Sequence, residues 1–274
     1  MKITSSALAC LFLFGTGSVL AQTSNIIDHY TLSLGTYISS DKATLRVDGS
    51  GGTPGTPIDF DKTFGLGNNA DLARFNFDWR LARKHVISFG GYRTSRENSK
   101  RLTHDIEFDG QTFHVDTVVS GKLAIQFWDA EYTYYPYLRE DRALGLTFSL
   151  VTMAVSAQLT NAPTSGSDVN ELSRRSSADL PAPGLGISYR HRFAHSWEFN
   201  TRASVLPKIT VDKYNAKTEN LYAALEYRFL NHYSVGAAYD YFSVTAGVDA
   251  TRVNFSGVFE YKIQGPIGYA RFYW

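Results

Sequence analysis

Hydrophobic and polar residues alternate along most of the chain with a period of two. In 73–81, Ala73, Phe75, Phe77, Trp79 and Leu81 fall on one side, and Arg74, Asn76, Asp78 and Arg80 on the other. Successive side chains of a strand point to opposite faces, whereas a helix would scatter those apolar residues around its circumference. The split recurs in 185–193, with His191 the exception on the apolar side, and again in 197–205 and 221–229. Read along the chain, the alternation predicts ten strands, at 28–40, 71–82, 85–95, 120–137, 143–158, 182–193, 197–211, 218–229, 233–247 and 252–274. The last is over-long and changes phase near Gly265-Pro266, which leaves eight or twelve strands as alternatives.

Short connections alternate with long ones. Arg83-Lys84, 138–142, 194–196 and 230–232 join strands at one end, and three long polar connections, 41–70, 96–119 and 159–181, lie at the other. This asymmetry marks an all-β fold of one kind, a transmembrane antiparallel up-and-down barrel. Its apolar face meets lipid, because an Arg or Lys exposed at mid-membrane costs roughly 2–4 kcal/mol. Phe75, Phe77, Trp79, Tyr189, Phe193, Trp197, Phe199, Tyr227 and Phe229 belong to that face, and those beside the short turns make an aromatic girdle at headgroup level. A soluble β-sandwich or lipocalin-like barrel would alternate in the same way with its apolar face turned inward. Loop asymmetry, aromatic weight and an export signal favour the membrane.

The export signal is in the first residues. Lys2, the apolar run 7–14 and the small residues Val19 and Ala21 form a secretory signal peptide, 1–21, cleaved before Gln22, which leaves 22–274 as the barrel. Cys10, the single cysteine, sits in the apolar run. Ala7-Leu8-Ala9-Cys10 invites a lipoprotein reading, but the residues before Cys10 are too few for a basic region plus an apolar span. The chain from Gln22 onward therefore has no thiol for a disulfide or for catalysis, and no segment reaches the roughly 18 unbroken apolar residues of a spanning helix. Aromatic residues at 14% and charged residues at 19% are the reverse of a disordered composition. Without Lys2 the basic and acidic residues number 26 each, so no cationic surplus remains for nucleic acid.

The chain ends Gly268-Tyr269-Ala270-Arg271-Phe272-Tyr273-Trp274, with aromatics at the last position and two before it on one face. This resembles the terminal signal of Gram-negative outer-membrane barrels, which the barrel-assembly machinery reads. Physically, the last strand must pair with the first to remove both sheet edges. Further short motifs are Ile58-Asp59-Phe60-Asp61, Tyr132-Thr133-Tyr134, Leu180-Pro181-Ala182-Pro183-Gly184-Leu185-Gly186, Leu225-Glu226-Tyr227-Arg228-Phe229 and Tyr261-Lys262-Ile263-Gln264-Gly265-Pro266. With these, 22–274 resembles an uncharacterised family of small proteobacterial outer-membrane barrels. The resemblance implies fold and location in the outer membrane, and no activity.

The polar face lines the lumen. Its positions include Arg74, Arg80, Arg190, Arg192, Arg202, Arg228, Lys262 and Arg271 against Asp78, Asp129, Glu131, Glu198, Glu226, Asp240 and Glu260. A one-signed excess would suit an ion-selective pore. Matched signs suit pairing, since buried unpaired charge is costly, and small barrels are filled by their own side chains. The expected lumen is largely plugged, with a narrow channel for ions or small solutes as the alternative.

Signals for catalysis or metal binding are poor. His232-Tyr233-Ser234 puts a His and a Ser on one strand face, a spacing similar to part of the site in outer-membrane lipid-A deacylases. It lies at a short-turn end, and no third group orients the His. On a strand His191 and His195 would stand about 13 Å apart, too far for one ion. His104, Asp105, His114 and Asp116 fall in the second long connection, where solvated polarity is the plain reading. Asp48-Gly49-Ser50-Gly51-Gly52 matches neither a phosphate loop nor a calcium loop. No residue is assigned to catalysis, a cofactor or a metal. The expectation is a non-enzymatic barrel in a structural or surface-interaction role. Its expected partners are outer-membrane lipid and, through the C-terminal strand, the assembly machinery; no nucleic acid is expected, and the surface ligand is unidentified. A hydrolase is the third reading.

Overall fold

The computed structural model describes residues 26–49, 53–66, 69–161, 173–194, 196–211, 214–248 and 256–274. The expected signal peptide with Cys10, residues 50–52 of the glycine-rich run and His195 lie outside the described residues. The chain runs β1 (Tyr30–Val47), β2 (Ile58–Asp59), α1 (Phe60–Phe64), β3 (Asn69–Ala82), β4 (His85–Arg101), β5 (Ile106–Phe108), β6 (Gln111–Phe113), β7 (Val118–Leu138), β8 (Arg142–Asn161), β9 (Ser173–Phe193), β10 (Trp197–Val211), β11 (Tyr214–Leu230), β12 (Tyr233–Val248) and β13 (Gly257–Tyr273). All but β2 and the small hairpin β5–β6 form one antiparallel ring of ten strands in chain order, closed by β13 on β1. At the closure Tyr30 N–H donates to the Trp274 carbonyl (3.0 Å) and Trp274 N–H to the Tyr30 carbonyl (3.1 Å).

The strands are longer than a membrane needs. β7 and β9 have 21 residues each, against the roughly 9–11 that cross a bilayer. Their alternation inverts part-way. On β8, Leu144, Leu146, Phe148 and Leu150 point outward and Thr147 and Ser149 inward; beyond Val151 the inward residues are Met153, Val155, Ala157 and Leu159, and the outward ones Thr152, Ser156, Gln158 and Thr160. β7 does the same at Trp128, with Asp129, Glu131 and Thr133 inside below it and Leu123, Ile125 and Phe127 inside above. The lower half of the ring is thus apolar outside and polar inside, and the upper half polar outside and apolar inside. At the tilt of about 40° usual in such barrels, the outward run of β12 from Tyr233 to Tyr241 would rise about 20 Å, most of the roughly 25 Å apolar band of an outer-membrane barrel.

This inversion explains the apparent phase change in the last strand. The register of β13 on β1 is the same on either side of Gly265-Pro266, from Tyr37↔Ile267 to Ser40↔Gln264. What changes is the chemistry of each face. Glu260 and Lys262, expected in the lumen, are exposed on the outer wall of the upper half, while Arg271 is buried inside the lower half. Gly265 has φ 153° and a side chain there would meet the Ile38 carbonyl oxygen at 2.2 Å, so only glycine lets β13 pass β1 at this point. The inversion also corrects the long connections: much of 41–70, 96–119 and 159–181 is strand, because polar outward positions there read as loop.

Candidate functional site

The lumen is filled in three tiers. At the short-turn end the chain enters the barrel before β1, and Ile26 and Ile27 pack against Val86, Tyr135 and Ala143. Two lumen arginines fix this segment: Arg80 donates to the Ile27 carbonyl (2.6 Å), and Arg228 pairs with Asp28 (2.6 Å) while its guanidinium lies 3.9 Å from the centre of the Tyr273 ring.

The middle tier is charged. Arg190 on β9 reaches Asp78 on β3 (3.5 Å) and Glu198 (3.9 Å), which also takes Arg192 (3.3 Å). Arg74 on β3 pairs with Asp240 on β12, and Arg202 on β10 with Glu131 on β7. Arg271 pairs with Glu226 (2.9 Å) and donates through Nε to Ser33 (2.7 Å); Tyr269 and Ser234 hydroxyls donate to the same Glu226 (3.0 and 2.8 Å). The Glu198 pairs link the neighbouring strands β9 and β10, whereas Arg190–Asp78, Arg74–Asp240 and Arg202–Glu131 join strands three or four places apart in the ring and so cross the bore. Among the described residues, cavities of about 40 and 20 Å³ lie between these pairs. The larger, edged by Asn76, Asp78, Asn200 and Arg202, has room for about three waters.

An aromatic layer separates this tier from the next: Tyr92 stacks on Phe127 (4.7 Å between centroids), which meets Phe242 edge-on (5.1 Å). Above it the lumen is apolar and is filled from the long connections. Asp59 caps α1 by accepting from Lys62 N–H (3.1 Å), and Phe60 and Phe64 turn into the barrel. A side chain at Gly121 would meet the Phe64 ring at 2.5 Å, so that ring occupies the space glycine leaves. Asn98 holds the end of the helix, donating to the Phe64 carbonyl (2.7 Å). The β5–β6 hairpin lies over the mouth with Ile106, Phe108 and Phe113 buried, tied down by Thr56 N–H to the Glu107 carbonyl (2.9 Å). Its turn, Asp109-Gly110, has positive φ at both residues (52° and 71°), the conformation that this dipeptide favours in a tight hairpin.

No family model matches the chain, and no curated protein matches it. Solved structures do. The outer membrane protease OmpT from Escherichia coli matches with a TM-score of 0.59 at 13% identity, over 95% of this chain and 100% of that one. The toluene transporter TodX from P. putida matches with 0.35 at 10% identity, over 90% and 91% of the two chains. The attachment invasion locus protein Ail of Yersinia pestis matches with 0.32 at 10% identity, over 88% and 97%. The architecture shared with OmpT is that of an outer-membrane β-barrel.

Thirteen of the fifteen lumen charges expected from the alternation do face inward, Glu260 and Lys262 being the exceptions. Two partners went unforeseen: the half-buried Asp28, at the first position of the predicted 28–40 strand, and the buried Asp41, which pairs with Arg96 in a stretch taken for loop. The lid hairpin was missed too, although Asp109-Gly110 between apolar pairs is its signal. His232 and Ser234 are not joined. His232 Nδ1 lies 2.9 Å from the Tyr273 carbonyl, and the buried Ser234 hydroxyl is held by Glu226 and Tyr273. His191 stacks outside the barrel between Tyr189 and Phe193. His114 and Asp105 approach to 3.6 Å on the exposed rim of the lid, where the Val115 amide, and after it His114, hold the Asp105 carboxyl below its ordinary value. Asp48 accepts from Gly55 N–H (2.9 Å) and thereby turns the first connection. No group of three or more potential metal ligands occurs among the described residues.

Proposed function

We propose that the protein is a closed barrel of the outer membrane, with its short turns in the periplasm and its polar upper wall and lid facing outward as a structural or surface-interaction face. The observation that carries this reading is the set of ion pairs running across the bore, Arg190 to Asp78, Arg202 to Glu131 and Arg74 to Asp240. An ion on this path would have to break each pair and leave charges unpaired in a low-dielectric interior, at a cost of several kcal/mol per ion. The apolar tiers above and below add desolvation barriers of a different kind. A hydrolase finds no support in His232 and Ser234, whose partners are structural, and likeness at 13% identity to a protease speaks for the fold alone. Planar-bilayer recording of refolded 22–274 tests the reading. The expected result is silence from protein shown to be folded; discrete, salt-dependent openings would overturn it and favour a narrow channel, in which Arg74→Ala would alter ion selectivity.

A further inference from the structure

The ladder between β9 and β10 ends at Leu185↔Val205, although both strands continue. β9 goes on to Ser173 paired with β8 alone, and β10 to Val211 paired with β11 alone. Carried further in the same register, Pro183 would face Pro207, and Pro181 would face Ile209. The β8 ladder passes Pro181 and Pro183 without a shift of register, so their nitrogens, which carry no hydrogen, lie on the β10 side. On β10 the register shifts between Leu206 and Ile209, at Pro207-Lys208. Prolines on both strands thus remove the donors that the next rungs need, and the wall parts.

The parting opens from the top of the apolar outer band. Leu185, Ile187 and Val205, directly below it, are 67%, 56% and 54% exposed, among the most exposed large apolar residues of the wall. Pro181 and Pro207 are exposed beside it, and Leu206 and Ile209 stand half-buried behind. Lys208 is exposed at its upper end and makes no ion pair among the described residues. The polarity therefore runs from apolar at the band to charged at the water, where Lys208 and Arg175 outnumber the exposed Asp179. Because the ladder ends at the top of the lipid-facing band, beside exposed Leu185 and Val205, an occupant there comes from the leaflet rather than from solution. A peptide adding to the β9 edge would meet prolines where it needs donors.

We propose that this parting seats one acyl chain of an anionic outer-leaflet lipid, the chain against Leu185, Ile187, Val205 and the prolines, and the phosphate at Lys208. The proposal rests on the outer-membrane reading above. The test uses the folded protein in phosphatidylcholine vesicles doped with phosphatidic acid that carries a photoreactive diazirine on its acyl chain. Label is expected to concentrate on 181–187 and 203–209 relative to the outward face of β8, Leu144 to Leu150. Lys208→Gln should lower it about fivefold, the weight of one lysine at an anionic surface. Pro183→Val with Pro207→Val restores both donors and, where hydrogen exchange shows the ladder extended, should remove the excess label; Leu185→Trp, which fills the cleft without touching the backbone, should do the same. Even labelling around the wall, or label at the parting indifferent to Lys208→Gln and Leu185→Trp, overturns the seat and leaves the barrel reading intact. Protein that takes no label on any strand overturns the membrane reading itself, and the seat with it.

Discussion

Arg271 and Glu226 are 4% and 3% exposed, and each is held on several sides: Arg271 by Ser33 and Glu226, Glu226 also by Ser234 and Tyr269. A pair of this kind adds little over an apolar pair of equal volume, but removing one member strands the other. Arg271→Met should therefore lower the unfolding free energy by about 3–5 kcal/mol, and Arg271→Met with Glu226→Leu should recover most of that loss. Urea unfolding of the refolded protein, followed by tryptophan fluorescence, measures both; equal losses in the single and double variants would mean the pair itself stabilises the barrel. Gly121 poses the opposite problem, one of space. Gly121→Val puts methyl groups where the Phe64 ring lies, which should cost about 1–3 kcal/mol by overpacking. The strain should appear locally, as faster proteolysis within 58–66, because α1 is the element with somewhere to go.

At the scale of elements, the segment ahead of β1 acts as a stopper rather than a leader. Ile26 and Ile27 are fully buried at the short-turn end, yet only a small cluster surrounds them. Replacing each by Ala should cost about 2 kcal/mol and speed hydrogen exchange at Val86 and Ala143, while leaving Val151 and Met153 in the upper tier unchanged. Acceleration in both tiers would show that the barrel loosens as one unit. How the elements read from sequence follows from the same burial pattern. The ten strands were legible because lipid outside and charge inside give a clean period of two. The upper parts of β1, β4 and β9 were not, since Lys42, Glu97 and Arg175 face water there and polar outward positions resemble loop, whereas β7 and β8 were predicted almost to their upper ends. Pro181 hid the upper half of β9 for a second reason: a proline in a strand is tolerated at a free edge, and β10, which carries Pro207, leaves that edge unpaired. The thirteen correctly placed lumen charges depended on parity alone. Which cation meets which anion depended on the ring closing, and no spacing along the chain encodes that.

For the molecule as a whole, the three tiers close the bore in series, and barriers in series do not fail singly. Leu102 N–H donates to the Thr117 carbonyl (2.9 Å), so excising 103–116 removes the lid while the ends of β4 and β7 stay together. That deletion exposes Phe60 and Phe64 but leaves every cross-bore ion pair in place, and it should not conduct. Arg74→Ala with Arg202→Ala removes two of the crossing pairs, yet leaves the aromatic layer of Tyr92, Phe127 and Phe242 above them and the Ile26–Ile27 stopper below, and should also stay silent. Conduction is expected only when the lid, the aromatic layer, the crossing pairs and the stopper are all removed together, and it should then be cation-selective, because Asp240 and Glu131 lose their counterions and remain as fixed negative charge. Bilayer recordings across the set decide the matter. Openings from the lid deletion alone would show that the charged tier is a selectivity constriction and that the hairpin is its gate; silence from all but the combined variant is what a barrel built to stay shut would give.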